Sequence, residues 1–313
     1  MDKKRLNLPF TGIASFFRAP ICEDWSQINS DVAILGVPFD QSTAVRPGAR
    51  YGPRGIREAS SIFRIGEYYD FELDETFMEG VTVTDCGDVD MIHMDPHQCL
   101  QNTYEAVDEI LRSGALPVIV GGDHAVPIPV LRAYKDRGPI HVIQFDAHLD
   151  FTNERFGVTE SHGNPMRRIS EMDHVSGMTQ IGIRGQGSSS RSDFEDARKY
   201  GSTIIGAREF KRNGPEKVIE RIPESTRYYV TIDCDVLDPA VAPGTGTPFP
   251  GGLDYYELMD SLRGIAQRGE VIGFDFCEVA PVFDPTGVTC HLAAQIILEF
   301  VSAIFKYKPK REN

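Results

Sequence analysis

The chain has 313 residues, of which 41% are hydrophobic and 25% are charged, the balance of an ordinary globular protein. Its 46 acidic residues outnumber 32 basic ones, and the formal charge of -14 argues against a nucleic-acid partner. The N-terminus lacks the apolar segment of a signal peptide, and no apolar run of about 18 residues predicts a membrane span. We therefore expect a cytoplasmic protein without membrane contact, one domain over 1–313, and reduced cysteines.

Short apolar, β-branched runs alternate with helix-length amphipathic stretches, which is the pattern of parallel strands joined by crossover helices. The predicted strands, in chain order, are 31–37, 81–85, 116–120, 141–145, 179–183, 202–206, 227–232 and 271–276. Several runs hold few polar residues, as strands covered by helices on both faces do. The sequence predicts an α/β fold, a three-layer αβα sandwich around a central, mostly parallel sheet of about eight strands.

Polar motifs follow three of these strands, at the edge where open parallel sheets bind ligands. The strand at 116–120 runs into GGDHA, the one at 141–145 into DAHLD, and the one at 227–232 into DCD. Any single residue could cap a turn or helix, but two histidines and four aspartates together suit two divalent cations. The candidate metal ligands are His124, Asp146, His148, Asp150, Asp233 and Asp235.

The spacing inside these motifs also predicts orientation. If DAHLD stays extended, its three polar residues leave the same face of the chain, because side chains alternate along a strand. The same spacing of two relates Asp233 to Asp235, so Cys234 between them should point away from the metals and into the core.

At this point the residues resemble the ureohydrolase family, which includes arginases, agmatinases and guanidino-acid hydrolases. The matching elements, in order, are GVPFDQSTAVRPGARYGPRGIR (36–57), GGDHA, DAHLD, SHGNPMRR (161–168), DCDVLDPAVAPGTGTPFPGG (233–252) and EVAP (278–281). RPGAR and SHG followed by two arginines look most like agmatinases and guanidinobutyrate or guanidinopropionate hydrolases. The resemblance implies an arginase-like fold and the release of urea from a guanidino compound.

The resemblance also implies which ligands are shared by two metal ions and which belong to one ion. Asp146 and Asp233 would each bridge two metal ions, with a hydroxide between the ions that attacks the guanidino carbon. The remaining ligands would complete the two sites as the pairs His124 with Asp150 and His148 with Asp235. Asp150 would then pass a proton to the departing amine.

Two further residues match family positions that contact substrate. His162, in SHG, resembles a histidine that shuttles protons or contacts the substrate, and Glu278 resembles the glutamate that holds the guanidinium. A carboxylate is well matched to a planar cation with forked N–H donors, which supports Glu278 independently. Taken alone, His162 could be a loop histidine and Glu278 a salt-bridge partner at a strand end.

Some positions depart from the family pattern. Ala125 replaces a common serine after GGDH, Asn164 and Met166 replace Thr and Phe of agmatinase-like members, and Thr152 replaces an asparagine by which arginases recognise arginine. Arginase activity is therefore not expected, and agmatine or a guanidino acid is. Residues of both signs near the expected rim leave the substrate tail open: Glu154, Glu160, Arg155 and Arg184.

Other hypotheses remain at this stage. The departures leave room for free guanidine, a substituted guanidine or a biguanide as substrate. The chain could also be a non-catalytic subunit beside a paralogue, or could hydrolyse an amide or phosphoester, since a fold does not fix a reaction. The family resemblance favours Mn²⁺, with Ni²⁺ next, and a homo-oligomer, trimer or hexamer. The other histidines are expected to be structural: His93, His97, His141, His174 and His291.

Overall fold

The computed structural model describes residues 8–185, 189–224 and 226–308. The strands of this part of the chain are β1 (Val32–Val37), β2 (Tyr68–Asp70), β3 (Glu75–Phe77), β4 (Val83–Asp88), β5 (Leu116–Gly121), β6 (Ile140–Phe145), β7 (Val175–Ile183), β8 (Thr203–Gly206), β9 (Arg227–Asp233) and β10 (Glu270–Cys277). Eight of them form a parallel sheet in the order β4-β1-β5-β10-β9-β6-β7-β8. All eight predicted strands are present, so the sheet prediction is confirmed.

Helices connect the parallel strands, and the last helix follows β10. They are α1 (Gly52–Ala59), α2 (Pro96–Ser113), α3 (Pro127–Arg132), α4 (Pro165–Ser170), α5 (Arg191–Tyr200), α6 (Ala207–Ile219), α7 (Tyr255–Arg268) and α8 (Val288–Tyr307). Local sequence sets several of their ends: Ser190 and Asp254 form capping boxes at the starts of α5 and α7, and Gly114 ends α2 in a left-handed conformation.

The sheet separates two hydrophobic cores, because side chains alternate between its faces. On β1, Val32 and Ile34 enter one core, while Ala33 and Leu35 enter the other. The first core also takes apolar side chains from α1, α6, α7 and α8, and the second takes them from α2, α3, α4 and α5. The predicted three-layer αβα sandwich is therefore confirmed.

Helix α8 is the one described helix long and apolar enough to cross a bilayer by composition alone. Its most apolar window has a mean hydropathy of 1.7, and 72% of that window is buried inside the protein. It packs against α1, α7 and β10. These contacts are those of a core helix.

The antiparallel hairpin of β2 and β3 was not predicted from the sequence. Each strand has only three residues, and β3 contains the charged Glu75, so no apolar alternation marks the pair. Tertiary contacts hold the hairpin instead: Phe77 is buried, and the ring of Tyr68 packs edge-on against Phe63 at 5.1 Å.

Candidate metal centre

The candidate ligands lie at the carboxyl ends of neighbouring central strands. In the order β5-β10-β9-β6, these strands lead directly into the segments that hold His124, Glu278, Asp233 and Asp146. Parallel strands end at the same edge of a sheet, so residues more than 150 positions apart meet there. The backbone N–H of His124 donates to Oε1 of Glu278 at 3.0 Å. This bond joins the segments after β5 and β10, which are the first and last of the four in chain order.

Three carboxylates surround one ring nitrogen of His124. Its Nδ1 atom lies 2.9 Å from Oδ2 of Asp150, 3.0 Å from Oδ2 of Asp146 and 3.5 Å from Oδ2 of Asp233. His124, Asp146 and Asp233 are all buried, and their ligand atoms lie within 4.8 Å of one another. This spacing is compact enough for one cation to contact all three.

A second group of ligands forms on the other side of Asp146. Nδ1 of His148 lies 2.9 Å from Oδ2 of Asp235 and 3.6 Å from Oδ1 of Asp146. These ligand atoms also lie within 4.8 Å of one another. Asp146 belongs to both groups and presents a different oxygen to each histidine. The arrangement fits two adjacent cations with Asp146 between them.

The electrostatics of the buried cluster also call for cations. Burial, and then the like charge of Asp146, raise the pKa of Asp150 to about 7. Burial, followed by the charges of Asp235 and Asp146, raises the pKa of Asp233 well above its usual value. So many carboxylates are mutually repulsive without positive charge between them, and mixed histidine and carboxylate donors suit divalent transition metals.

The ligand segments are not extended, so the orientation argument from strand alternation is corrected. Strand β6 ends at Phe145, and Asp150 has a left-handed backbone with φ of 51°. Asp235 lies in a 3-10 turn after β9, and its N–H donates to Oδ1 of Asp233 at 2.8 Å. The carboxylates converge through these turns, and Cys234 between them is buried in the core as predicted.

His162 and Glu278 meet beside the metal ligands. Nδ1 of His162 lies 3.4 Å from Oε1 of Glu278, whose side chain is only 3% exposed. Burial lowers the pKa of His162, but the carboxylate of Glu278 outweighs burial and raises it to about 9. In the neutral ring, Nε2 of His162 accepts the N–H of Ala44 at 3.1 Å and the proton is on Nδ1, whereas protonation of the ring breaks the bond to Ala44. Glu278, like Asp150, has a left-handed backbone, with φ of 61°.

Asp123 and Ser42 hold His162 in place and were missed from the sequence. The buried Oδ2 of Asp123 accepts both the N–H of Ser42 at 3.0 Å and its hydroxyl at 2.7 Å. Oγ of Ser42 in turn accepts the N–H of His162 at 2.9 Å. Asp123 lies in GGDHA and Ser42 in the 36–57 motif, and this position inside matching motifs was the available signal.

The family departures occupy supporting positions. Ala125 is buried, and its N–H donates to Oδ1 of Asp123 at 3.0 Å. Asn164 ties the His162 loop to the preceding segment, because its Nδ2 donates to the carbonyl of Thr152 at 2.5 Å. Met166 is a fully buried core residue. Ala125 and Met166 pack in the hydrophobic core and Asn164 forms hydrogen bonds, so none of the three side chains is a metal-ligand candidate.

All four candidate rim residues have contacts within the protein. The guanidinium of Arg184 donates to backbone carbonyls, including those of Asp235 at 2.6 Å and Phe249 at 2.8 Å. Glu160 is paired with Arg132. Both side chains therefore already have protein partners, and a contact with the substrate tail stays a prediction for them. Glu154 is exposed, with its carboxylate accepting the N–H of Gly157. The guanidinium of Arg155 lies 5.8 Å from the ring of Phe156.

The remaining histidines lie away from the cluster. His141 is buried, its Nε2 pairs with Thr179 at 2.8 Å, and burial lowers its pKa to about 4. His174 pairs with the carbonyl of Leu131, and His291 packs against the ring of Phe63. His93 and His97 are exposed.

Comparisons with known proteins agree with the site. A family model described as "Arginase family" matches residues 30–302. A guanidinobutyrase from Pseudomonas aeruginosa is 35% identical over 302 residues, which cover 94% of this chain and 93% of that protein. An agmatinase from Bacillus subtilis is 37% identical over 286 residues, which cover 90% and 94%. The solved structure of proclavaminate amidinohydrolase from Streptomyces clavuligerus is similar with a TM-score of 0.86 at 31% identity, covering 96% of this chain and 99% of that one. The resemblance read from the motifs is confirmed, and the chain belongs to the arginase family.

Proposed function

We propose that the chain hydrolyses the guanidino group of a small compound, agmatine or a guanidino acid, to urea and an amine. The observation that carries the proposal is the position of Glu278. Its buried carboxylate lies beside both His124 and His162, so a cation that binds it is held next to the ligand cluster. A guanidinium is such a cation, because its forked N–H groups match a carboxylate.

Two divalent cations are proposed to occupy the two ligand groups, with Mn²⁺ as first choice and Ni²⁺ as second. Asp146 supports the pair directly, since it belongs to both groups. Asp233 is proposed as the second shared ligand, Asp150 would complete the His124 side, and Asp235 would complete the His148 side. When bound, such a pair supplies an activated water molecule as nucleophile and stabilises the charge that develops.

The chain's own residues would then bind and orient the substrate and move protons. Glu278 would hold the guanidinium, and His162 beside it would contact the substrate or relay a proton. During hydrolysis the oxygen of water bonds to the guanidino carbon, and the bond from that carbon to the substituted nitrogen breaks. The departing amine takes a proton, for which Asp150 is the proposed donor because its carboxylate lies inside the cluster.

The names of the relatives define the substrate classes to compare. The similar proteins from Pseudomonas aeruginosa and Bacillus subtilis are named guanidinobutyrase and agmatinase, so the candidates differ in the charge of the tail. Free guanidine and substituted guanidines or biguanides are the alternative substrates. They remain candidates because Ala125, Asn164 and Met166 depart from the family pattern. A subunit that only supports an active paralogue is the non-catalytic alternative.

Urea release from a substrate panel tests the proposal. Protein loaded with Mn²⁺ or Ni²⁺ is assayed with agmatine, 4-guanidinobutyrate, 3-guanidinopropionate, arginine, guanidine and substituted guanidines. We expect turnover of agmatine or a guanidino acid, and its loss in Asp146→Asn, which removes the shared ligand. Asp85→Asn is the matched control, because Asp85 is a buried aspartate on β4 that is paired with Arg57 instead. Urea from guanidine alone would select the alternative substrates, and no urea from any compound would overturn the proposal.

The assembly and location of the enzyme are proposed from the family resemblance and the sequence. We propose a cytoplasmic homo-oligomer, a trimer or hexamer, that acts on a small molecule and not on nucleic acid or a membrane. A paralogous subunit is the variant of this proposal in which two kinds of chain assemble. Light scattering on the purified chain checks the oligomer, and a stable monomer with full activity would contradict it.

A further inference from the structure

A row of buried polar side chains crosses the sheet beneath the metal-ligand cluster. Gln180 on β7, Gln144 on β6, Thr231 on β9 and Asp275 on β10 are paired in register on adjacent strands. All four are 0% exposed. Gln144 and Thr231 lie two residues before the candidate ligands Asp146 and Asp233. A buried polar side chain in an otherwise apolar strand needs a hydrogen-bond partner to offset the cost of its burial.

One end of this row is connected to Asp146. Nε2 of Gln144 donates to Oδ2 of Asp146 at 2.6 Å, and Oε1 of Gln144 accepts from Nε2 of Gln180 at 2.6 Å. Nε2 of Gln180 also donates to the carbonyl of Leu149 at 2.7 Å, while its Oε1 accepts the hydroxyl of Ser202 at 2.8 Å. The chain of bonds therefore starts near the edge of the sheet and ends on the shared ligand.

The partners fix the direction of every bond in this chain. The carbonyl of Leu149 can only accept, so the NH₂ group of Gln180 must face it. The same NH₂ group then meets the oxygen of Gln144, which leaves the NH₂ group of Gln144 facing Asp146. The NH₂ group of Gln144 also donates to the carbonyl of His148 at 3.3 Å, which favours the same orientation. Gln180 thus reinforces the orientation of Gln144 without contacting a candidate ligand's carboxylate.

The result leaves Asp146 with the free lone pairs that a bridging ligand needs. Oδ2 accepts from Gln144, and Oδ1 accepts from the N–H of His148 at 2.5 Å. Each carboxylate oxygen has two lone-pair directions, so each retains one for a cation. The two protein bonds also prevent the carboxylate from rotating away from either ligand group.

We propose that Gln144 and Gln180 are positioning residues that hold Asp146 in the geometry required to bridge two metal ions. The inference rests on the proposed dinuclear site and extends it to residues that touch neither metal nor substrate. Loss of such outer partners typically weakens metal binding by roughly 10- to 100-fold. Gln180 should therefore control metal affinity through Gln144.

Metal affinity of Gln180→Met, Gln144→Met and the double variant tests this inference. Binding of Mn²⁺ and Ni²⁺ is measured by competition with a chelating indicator, without substrate. We expect each single variant to bind metal about 10- to 100-fold more weakly than the wild type. Most of the loss caused by Gln180→Met should disappear in the Gln144→Met background, because Gln180 acts mainly through Gln144. The part that remains belongs to its bond to the carbonyl of Leu149, the residue before Asp150. Additive losses, or wild-type affinity in Gln180→Met, would overturn the inference.

Thr179→Val is the matched control. Thr179 lies on the same strand as Gln180 and is equally buried, but its hydroxyl pairs with His141 on β6 and not with the chain leading to Asp146. It should lower the melting temperature while metal affinity stays unchanged, and an equal loss of affinity would show that the glutamine effect is general destabilisation. If Gln180→Met does not fold, Ser202→Ala replaces it in the test. Ser202→Ala removes only the hydroxyl at the end of the chain of bonds, so we expect a smaller loss of metal affinity. Urea release plays no part in this readout, so failure of the proposed activity is distinguished from failure of the positioning role.

Discussion

Nε2 of His124 lies 2.9 Å from Oγ1 of Thr231. The hydroxyl of Thr231 donates its proton to Oδ1 of Asp275 at 2.7 Å, so its oxygen accepts from the ring. The proton of the neutral ring is therefore on Nε2, and Nδ1 keeps its lone pair. Since Nδ1 is the atom surrounded by carboxylates, the network prepares His124 to bind a metal through it.

Thr231→Val is expected to weaken metal binding. The variant keeps the shape of the buried side chain but removes the acceptor that fixes the ring of His124, so we expect a loss of roughly 10- to 100-fold in affinity. Competition titration with Mn²⁺ measures it, with Thr179→Val as the control for loss of a buried hydroxyl on β7, which is separated from β9 by β6. Unchanged affinity would show that carboxylates alone orient the ring.

Glu278→Gln is expected to remove turnover and leave the metals bound. Loss of one partner from a buried charge pair costs about 2–5 kcal/mol, so kcat/KM should fall by roughly 30-fold to several thousand-fold. Elemental analysis should still find two metal ions per chain, because Glu278 belongs to neither ligand group. Turnover at the wild-type rate would refute the role of Glu278 in holding a guanidinium.

The contribution of His162 to stability should depend on pH in protein stripped of metal. Glu278 raises the pKa of His162 in the folded chain to about 9, above the value of about 6.5 expected after unfolding. The protonated ring therefore stabilises the fold fully below pH 6.5, and this contribution is lost as pH rises towards 9. The free energy of unfolding of wild type should exceed that of His162→Gln by an amount that shrinks over this range. Chemical denaturation measures both, and a constant difference would contradict the pairing.

Arg184→Lys should affect stability and not the choice of substrate. A lysine cannot reproduce the fork of bonds from Arg184 to several backbone carbonyls, so we expect a loss of about 1–3 kcal/mol. The ratio of KM values for agmatine and 4-guanidinobutyrate should stay constant. A change in that ratio with unaltered stability would show that Arg184 contacts the substrate tail.

The sheet and the candidate ligands could be predicted because each follows from local pattern. Apolar runs such as 116–120 mark buried strands, and polar residues just after them mark the ligand-binding edge. The match of several separate motifs then supplied the family. The β2–β3 hairpin could not be predicted, because strands of three residues carry too little pattern.

The polar row and the role of Arg184 needed the structure. Gln144 and Thr231 each lie two residues before an aspartate ligand, so alternation could have placed them below it, but their partners are on other strands. The register between two strands cannot be predicted from the sequence of either strand alone. Arg184 looked like a rim charge because its carbonyl partners, such as Phe249, are distant in sequence.

The central claim is a pair of cations bridged by Asp146 that supports release of urea. The most direct test measures bound metal and urea in the same samples of wild type and Asp146→Asn. The wild type should hold two metal ions per chain and release urea from agmatine or a guanidino acid. Asp146→Asn should lose both metal and activity, because the carboxylate of Asp146 belongs to both ligand groups. A wild type that releases urea with a single ion, or an Asp146→Asn variant that keeps two ions and full activity, would contradict the account.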